Sequence, residues 1–208
     1  MEAITKMSIT VEDIKKLLLC NVHLGKKTCE NLMKIYMWKR RADGIFIFNV
    51  SKTLKKINLA ARAIVAIKNT ADIIAISNDS ITQRAVMKFS QFVGCQMIVG
   101  RWTPGKLTNQ SCKTFSEPQL IILADPLSDI QPLIESSFVN IPTIAFCNSN
   151  SCLKFVDIAI PGNNDSKHAV ALMWWLLTRE VLRIKGEVSM SEKWDIPVDI
   201  FLSRTDID

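Results

Sequence analysis

The chain has 208 residues, and its composition is typical of a folded protein. Hydrophobic residues account for 48% and charged residues for 22%, which argues against intrinsic disorder and allows one sizeable core. The net charge is +6, and residues 1–56 hold twelve Lys or Arg against five Asp or Glu, so the remainder is close to neutral. Cations concentrated in the N-terminal quarter of the chain suit a polyanionic partner, although a basic face that only confers solubility gives the same pattern.

Helices and short apolar strands are predicted to alternate along the chain. A hydroxyl at Thr10, followed by a carboxylate three residues later, predicts a helix start, with Ile14, Leu17 and Leu18 facing the core. The first twenty residues mix charged and apolar side chains, so no secretory signal is expected. Further helices are predicted over 53–68, from 80 to about 93, near Pro132, and through Trp174 to about 185. Strands are predicted over 45–48, 73–76, 96–99, 120–123, 143–146 and 158–160.

This order of elements predicts the fold class. Strands that are apolar throughout, rather than alternating, are typical of parallel sheets that helices cover on both faces. We therefore expect an α/β protein, a three-layer α/β/α sandwich with a mostly parallel sheet, similar to flavodoxin or Rossmann folds. Residues 1–186 contain no repeat and no Gly/Ser linker, which predicts a single domain. Residues 187–208 hold six acids against two cations and predict an extended acidic C-terminal arm.

The six cysteines indicate free thiols rather than a metal site. They lie at positions 20, 29, 95, 112, 147 and 152, and no pair has the Cys-x-x-Cys spacing of zinc and redox sites. Without a secretory signal, we expect a reducing compartment in which thiols stay reduced. The sequence therefore predicts no metal and no cofactor.

One alternative function, a nucleotide-binding enzyme, depends on the segment Gly100–Lys106. This segment fits the pattern Gly-x-x-x-x-Gly-Lys and follows a predicted strand, as a phosphate-binding loop does. However, the next residue, Leu107, offers no hydroxyl to a metal ion, and Pro104 removes one N–H group from the cradle. Residues 100–118 nevertheless form a loop long enough to indicate a function, either contact with RNA or contact with a protein. A loop that only folds over the sheet edge gives the same pattern.

No side chain is assigned a catalytic role. Asp125 and Asp129 follow a predicted strand, but an Asp-Pro pair at that place is more typical of a turn than of an acid/base pair. The two histidines, His23 and His168, have no serine or cysteine nucleophile motif beside them. We therefore expect a protein that binds rather than an enzyme.

Two unusual stretches resemble one known family. Residues 100–110 contain Gly-Arg-Trp-Thr-Pro-Gly and then Thr-Asn-Gln, while residues 158–164 are Ile-Ala-Ile-Pro-Gly-Asn-Asn, with Trp174 and Trp175 further on. Both resemble the eukaryotic small-subunit ribosomal protein SA family, also called the laminin-receptor precursor, which is homologous to bacterial small-subunit ribosomal protein two. Motifs at 23–25, 41–45, 59–62, 83–86, 117–118, 125–126, 129, 131–133 and 139–145 continue the match in order.

The resemblance implies a structural constituent of the small ribosomal subunit. Such a protein binds small-subunit rRNA and neighbouring ribosomal proteins, and it is required for rRNA maturation and translation. The resemblance also implies no catalysis, no membrane, no small-molecule substrate, and a single copy in the ribosome rather than a homo-oligomer. The implied location is the cytoplasm, with passage through the nucleus or nucleolus during assembly.

Cations are the candidates for rRNA contact, and large aromatic side chains are the candidates for contact with protein partners. Adjacent tryptophans on a helix differ in direction by about 100°, so we expect one of Trp174 and Trp175 in the core and the other against a helix or a partner. The rRNA candidates are Lys26, Lys27, Lys39, Arg40, Arg41, Lys52, Lys55, Lys56, Arg62, Arg101 and Lys106, and the protein-partner candidates are Trp102, Trp174, Trp175, Trp194 and Phe201.

Overall fold

The structure is a computed structural model that describes residues 11–189 and 194–204. The helix start predicted at Thr10 and the arm residues 190–193 and 205–208 lie outside these described residues. The α-helices span Val11–Leu19 (α1), Val50–Ala66 (α2), Ser80–Val93 (α3), Ile130–Val139 (α4) and Lys167–Lys185 (α5). The strands span Met37–Arg40 (β1), Phe46–Phe48 (β2), Ile73–Ser77 (β3), Gln96–Val99 (β4), Leu120–Leu123 (β5), Thr143–Cys147 (β6) and Ile158–Pro161 (β7).

The central sheet has five parallel strands in the order β4-β3-β5-β6-β7. Its inner strands β3, β5 and β6 are buried along their whole length, which is why their sequences are apolar without alternation. The crossover from β3 to β4 and the crossover from β5 to β6 run in opposite directions, so right-handed connections place α3 and α4 on opposite faces. The predicted three-layer α/β/α sandwich is confirmed.

One face of the sheet carries three packed helices, α2, α5 and α3, with α5 in the middle. The unbroken apolar run 169–177 lies on α5 and is buried throughout. Trp174 points to the sheet, where its ring centroid lies 5.2 Å from Phe89 and 4.7 Å from Phe146. A helix covered on nearly all sides explains the missing polar face.

Among the described residues, the opposite face carries one α-helix, α4, together with a short 3-10 helix over Leu32–Tyr36 and irregular segments. The buried side chains Leu133 from α4, Trp102 and Leu107 from the loop after β4, and Met33 and Phe48 from the N-terminal quarter form its core. This second core is smaller than the first, and it depends on loops that must be fixed by side-chain hydrogen bonds.

Two local predictions differ from the structure. The strand predicted over 45–48 does not join the parallel sheet, because β2 pairs antiparallel with β1, a strand that apolar patterning did not predict. Its Phe46 and Ile47 are therefore half-buried rather than buried. In α1, Leu17 is buried as predicted, but Leu18 is exposed because this nine-residue helix packs on one side only.

The C-terminal arm packs on the domain over residues 194–204, where a 3-10 helix over Val198–Ile200 is its one regular element. Trp194 and Phe201 pack against Phe92 of α3, with ring centroids 5.5 and 5.9 Å away. Trp175 Nε1 donates to the carbonyl of Ile196 at 2.8 Å. The apolar residues of this segment therefore cover part of α5.

Candidate functional site

A small hairpin beside the sheet carries the three consecutive exposed cations Lys39, Arg40 and Arg41. Its two strands, β1 and β2, are joined by residues 41–45, where Arg41 N donates to Ile45 O at 2.8 Å and Gly44 has a φ of +84°. A positive φ is accessible to glycine without strain, so the Asp43-Gly44 pair suits this tight turn. Residues 23–26 pair with the free edge of β2 and hold the hairpin on the domain.

The hairpin contains an irregularity that turns a tryptophan towards solvent. Met37 pairs with Phe48 and Lys39 pairs with Ile47, so Trp38 has no partner across the ladder and forms a β-bulge. Its side chain is 70% exposed, whereas the other tryptophans are buried or half-buried. Ile35 and Leu32 are also exposed just before it. Trp38 is not among the site residues predicted from the sequence, although its position next to Lys39, Arg40 and Arg41 was the available signal.

The first half of α2 lies beside the hairpin and adds three lysines. Lys52 Nζ donates to the carbonyl of Ile35, and Lys56 Nζ lies 5.7 Å from the ring centroid of Tyr36. On the hairpin, Arg40 donates to the carbonyl of Gly44 at 3.1 Å, which keeps its guanidinium at the turn. We call the following set the basic cluster: Lys27, Lys39, Arg40, Arg41, Lys52, Lys55 and Lys56.

The remaining predicted RNA contacts lie apart from the basic cluster or are paired. Lys26 forms an ion pair with Asp165 at 3.1 Å. Arg62 is exposed on α2, but it lies ten residues beyond Lys52, about 15 Å along the helix. Arg101 and Lys106 follow β4 at one edge of the sheet, whereas α2 packs beside β7 at the other edge. The structure therefore divides the predicted set into two regions.

The long loop over residues 100–118 is organised by a glutamate that was not predicted from the sequence. Glu135 on α4 is buried, and its carboxylate accepts hydrogen bonds from Trp102 Nε1 at 3.2 Å, Gly105 N at 2.9 Å and Leu107 N at 3.4 Å. Burial alone would raise the pKa of Glu135, but the hydrogen bonds from Gln131, Gly105 and Trp102 outweigh it and lower the pKa. The carboxylate is thus the anion around which this loop folds.

This arrangement argues against phosphate binding at Gly100–Lys106. The N–H groups of Gly105 and Leu107, which a phosphate would need, already donate to Glu135. Lys106 Nζ lies 5.8 Å from the ring centroid of Trp102. No helix begins after the loop, since β5 is the next regular element. The cradle is therefore closed by the protein's own carboxylate, and nothing in the structure favours the nucleotide-binding alternative.

The acidic residues near the end of β5 have structural roles. Asp125 forms the predicted turn, because its carboxylate accepts hydrogen bonds from Leu127 N at 3.3 Å and Ser128 Oγ at 3.2 Å. Asp129 is buried and accepts from Asn78 N at 3.0 Å, and burial raises its pKa to about 6. Over residues 11–189 and 194–204, no three His, Cys, Asp or Glu side chains lie close enough to hold a metal ion.

Four of the five aromatic residues predicted for protein contact lie inside the domain. Trp102, Trp174, Trp175 and Phe201 are buried against the chain itself, so their side chains are not on the surface that a partner would meet. Trp194 is half-buried, with ring centroids of Phe92 and Trp175 each 5.5 Å away. Of the adjacent tryptophans, Trp174 lies in the core as expected, whereas Trp175 packs against the C-terminal arm, where a helix or a partner was expected.

The fold and the surface together define a class, an α/β domain that presents cations and an exposed tryptophan on a hairpin. No helix in the described ranges is both long and apolar enough to span a bilayer. A family model described as Ribosomal protein S2 matches residues 17–117 and 112–183. The chain belongs to this family, which confirms the resemblance drawn from the sequence motifs.

Individual relatives agree with the family match. The Small ribosomal subunit protein uS2 of Drosophila persimilis is 49% identical over 198 residues, covering 95% of this chain and 73% of the relative. That of Chlamydomonas reinhardtii is 49% identical over 193 residues, covering 93% and 69%. That of Urechis caupo is 50% identical over 202 residues, covering 97% and 64%. The chain thus spans roughly two thirds to three quarters of each relative.

Proposed function

We propose that this protein is a structural component of the small ribosomal subunit and has no enzymatic activity. The observation that carries the proposal is membership of the ribosomal protein S2 family at about half identity over nearly the whole chain. The closed loop at Gly100–Lys106 supports it, because the only motif that indicated an enzyme has its N–H donors occupied.

The basic cluster is the proposed rRNA contact. Its lysines and arginines are exposed or half-exposed, and the three cations Lys39, Arg40 and Arg41 have one acid, Asp43, close by. Phosphate contacts of this kind position a protein on RNA without reading its sequence. Trp38 adds a flat apolar surface beside them, and an unpaired base that stacks on it would give the contact a preference for a loop or bulge over a regular helix.

Neighbouring ribosomal proteins are the second proposed class of partner. The protein would occupy the subunit as one copy, work in the cytoplasm, and enter the nucleus or nucleolus while subunits are assembled. It would be needed for assembly and rRNA maturation because it joins rRNA and protein neighbours on one rigid domain. Arg101 and Lys106 remain candidates for a second, smaller RNA contact at the opposite edge of the sheet.

The rRNA contact is tested by rebinding the protein to small subunits that lack it, at several KCl concentrations. Lys39→Ala with Arg41→Ala should weaken binding and reduce the slope of log affinity against log salt by about 2, one for each lost phosphate contact. Both side chains are exposed, and Arg40, which holds the turn, is left in place.

Two further variants make the result specific. Lys68→Ala with Lys154→Ala removes the same charge from exposed positions outside the basic cluster and outside the 100–118 loop, and it should leave the slope unchanged. Trp38→Ala should weaken binding by a similar factor at every salt concentration, because stacking releases no counterions. An unchanged slope in the Lys39/Arg41 variant would refute the assignment of the basic cluster.

A further inference from the structure

Helix α4 presents an apolar stripe to solvent. Leu127, just before the helix, is followed by Ile130, Ile134 and Phe138, so apolar residues recur at intervals of three and four and lie on one face. Ile134 is half-buried, whereas Leu127, Ile130 and Phe138 are 44%, 55% and 73% exposed. We call these four residues the α4 stripe. An isolated exposed apolar side chain needs no explanation, but an aligned series of four indicates an interaction surface.

The domain does not use the α4 stripe for its own core. The inner side of the helix is formed by Pro132, Leu133 and Ser136, which are buried on the sheet, and by Glu135, which holds the loop over residues 100–118. On the opposite face of the sheet, α5 has α2 and α3 as neighbours. On this face α4 is the single α-helix among the described residues, so a second helix alongside it would extend the layer.

The charge around the α4 stripe identifies the kind of partner. Residues 114–153 contain four acids and no Lys, Arg or His, although the whole chain has a net charge of +6. Asp129 and Glu135 among these acids are buried, and the cations Arg101 and Lys106 lie on the neighbouring loop rather than on the helix. Helix α4 itself offers an RNA backbone no cation, so the stripe suits a protein. Asp125 lies at the start of the stripe, and Phe138 lies in the last turn of α4, where the helix dipole is negative. Both ends therefore favour cations on the partner.

We propose that the α4 stripe is the docking surface for a neighbouring small-subunit protein that supplies an apolar helix flanked by Lys or Arg. A series of side chains at intervals of three and four forms the ridge that packs into the groove of another helix. This inference rests on the proposed function, because it takes the partner from the small subunit. It assigns RNA and protein to different surfaces, with the basic cluster for RNA and the α4 stripe for protein.

The first test is Ile130→Ser with Phe138→Ser, measured by the same rebinding to small subunits. Both side chains are exposed, so the fold is expected to tolerate the change. Truncating a central apolar pair at a protein interface should lower the affinity about tenfold or more, with no change in the salt slope. Leu19→Ser with Met87→Ser removes two exposed apolar side chains elsewhere and should bind normally. Normal binding of the Ile130/Phe138 variant would overturn the proposal.

The second test identifies the occupant. A photoreactive benzoylphenylalanine in place of Phe138 is incorporated into subunits in cells and activated by light. A crosslink to a small-subunit protein, at an apolar segment next to Lys or Arg, is the expected result. A crosslink to rRNA or to a second copy of this chain would overturn the docking proposal. The absence of any crosslink in subunits that contain the protein would overturn it as well. If the unmodified chain does not enter subunits at all, the proposed function fails first and the docking proposal fails with it.

Discussion

Replacing Glu135 by alanine is expected to release the loop over residues 100–118 while the sheet stays folded. The substitution leaves the N–H groups of Trp102, Gly105 and Leu107 without their acceptor. A buried donor that loses its partner costs about 1–3 kcal/mol, and the bond from Leu107 is long, so the total should be about 3–5 kcal/mol. Opening the loop to water avoids much of this cost, which makes local opening the expected response.

Hydrogen–deuterium exchange measures this opening directly. A loss of about 3 kcal/mol corresponds to roughly 100-fold less protection of amides within 100–118, while β3 and β5 should keep their protection. Glu117→Ala removes an exposed carboxylate from the same loop and serves as the matched control. Unchanged protection at Gly105 and Leu107 in the Glu135 variant would refute the role given to this carboxylate.

The same loop should also respond to acid. The pKa of Glu135 lies below its ordinary value of 4.5, so the folded state favours the charged form. Its contribution to stability is present above about pH 4.5 and is lost as the pH falls through the lowered pKa of the folded state. Loosening of the loop is therefore expected only at acid pH.

Two further predictions concern buried charges. Burial raises the pKa of Asp129 to about 6 from 3.8, so stability falls as the pH rises between these values. Asp129→Asn should therefore raise the free energy of unfolding by roughly 1–3 kcal/mol at pH 8 and by little at pH 4. Urea unfolding at the two pH values measures this difference. An equal effect at both would contradict the raised pKa of Asp129. Asp13 accepts two hydrogen bonds from Arg179, at 2.8 and 3.0 Å, which tie α1 to α5. Asp13→Ala should lower the free energy of unfolding by about 3 kcal/mol in the same assay, because the buried guanidinium of Arg179 loses one of its two carboxylate partners. An unchanged urea midpoint would show that Asp13 does not stabilise the contact between α1 and α5.

Much of the fold could be predicted from the sequence because the central strands permit few alternatives. Runs such as 73–76 and 120–123 are apolar on both sides, and only a sheet covered on both faces buries them completely. The α5 helix was predictable for the same reason. By contrast, β1 is exposed and charged, and its strand conformation depends on pairing with β2, which local sequence patterns do not reveal.

The surface sites were harder to predict because they depend on contacts between distant residues. Glu135 meets Gly105 and Leu107 across about thirty positions, and nothing near it in sequence distinguishes it from an ordinary helical glutamate. The aromatic candidates were chosen for their size, but size favours the core as much as an interface. Trp175 is buried because the arm returns to cover it, and Trp38 is exposed because a bulge turns it outward.

The most direct test of the central claim is sedimentation of the unmodified protein through a sucrose gradient of cell lysate, followed by mass spectrometry of each fraction. The protein should migrate with small ribosomal subunits and polysomes, and it should remain there at moderate salt because apolar contacts accompany the phosphate contacts. A protein that stays at the top of the gradient, while other small-subunit proteins sediment normally, would contradict the assignment to the small subunit.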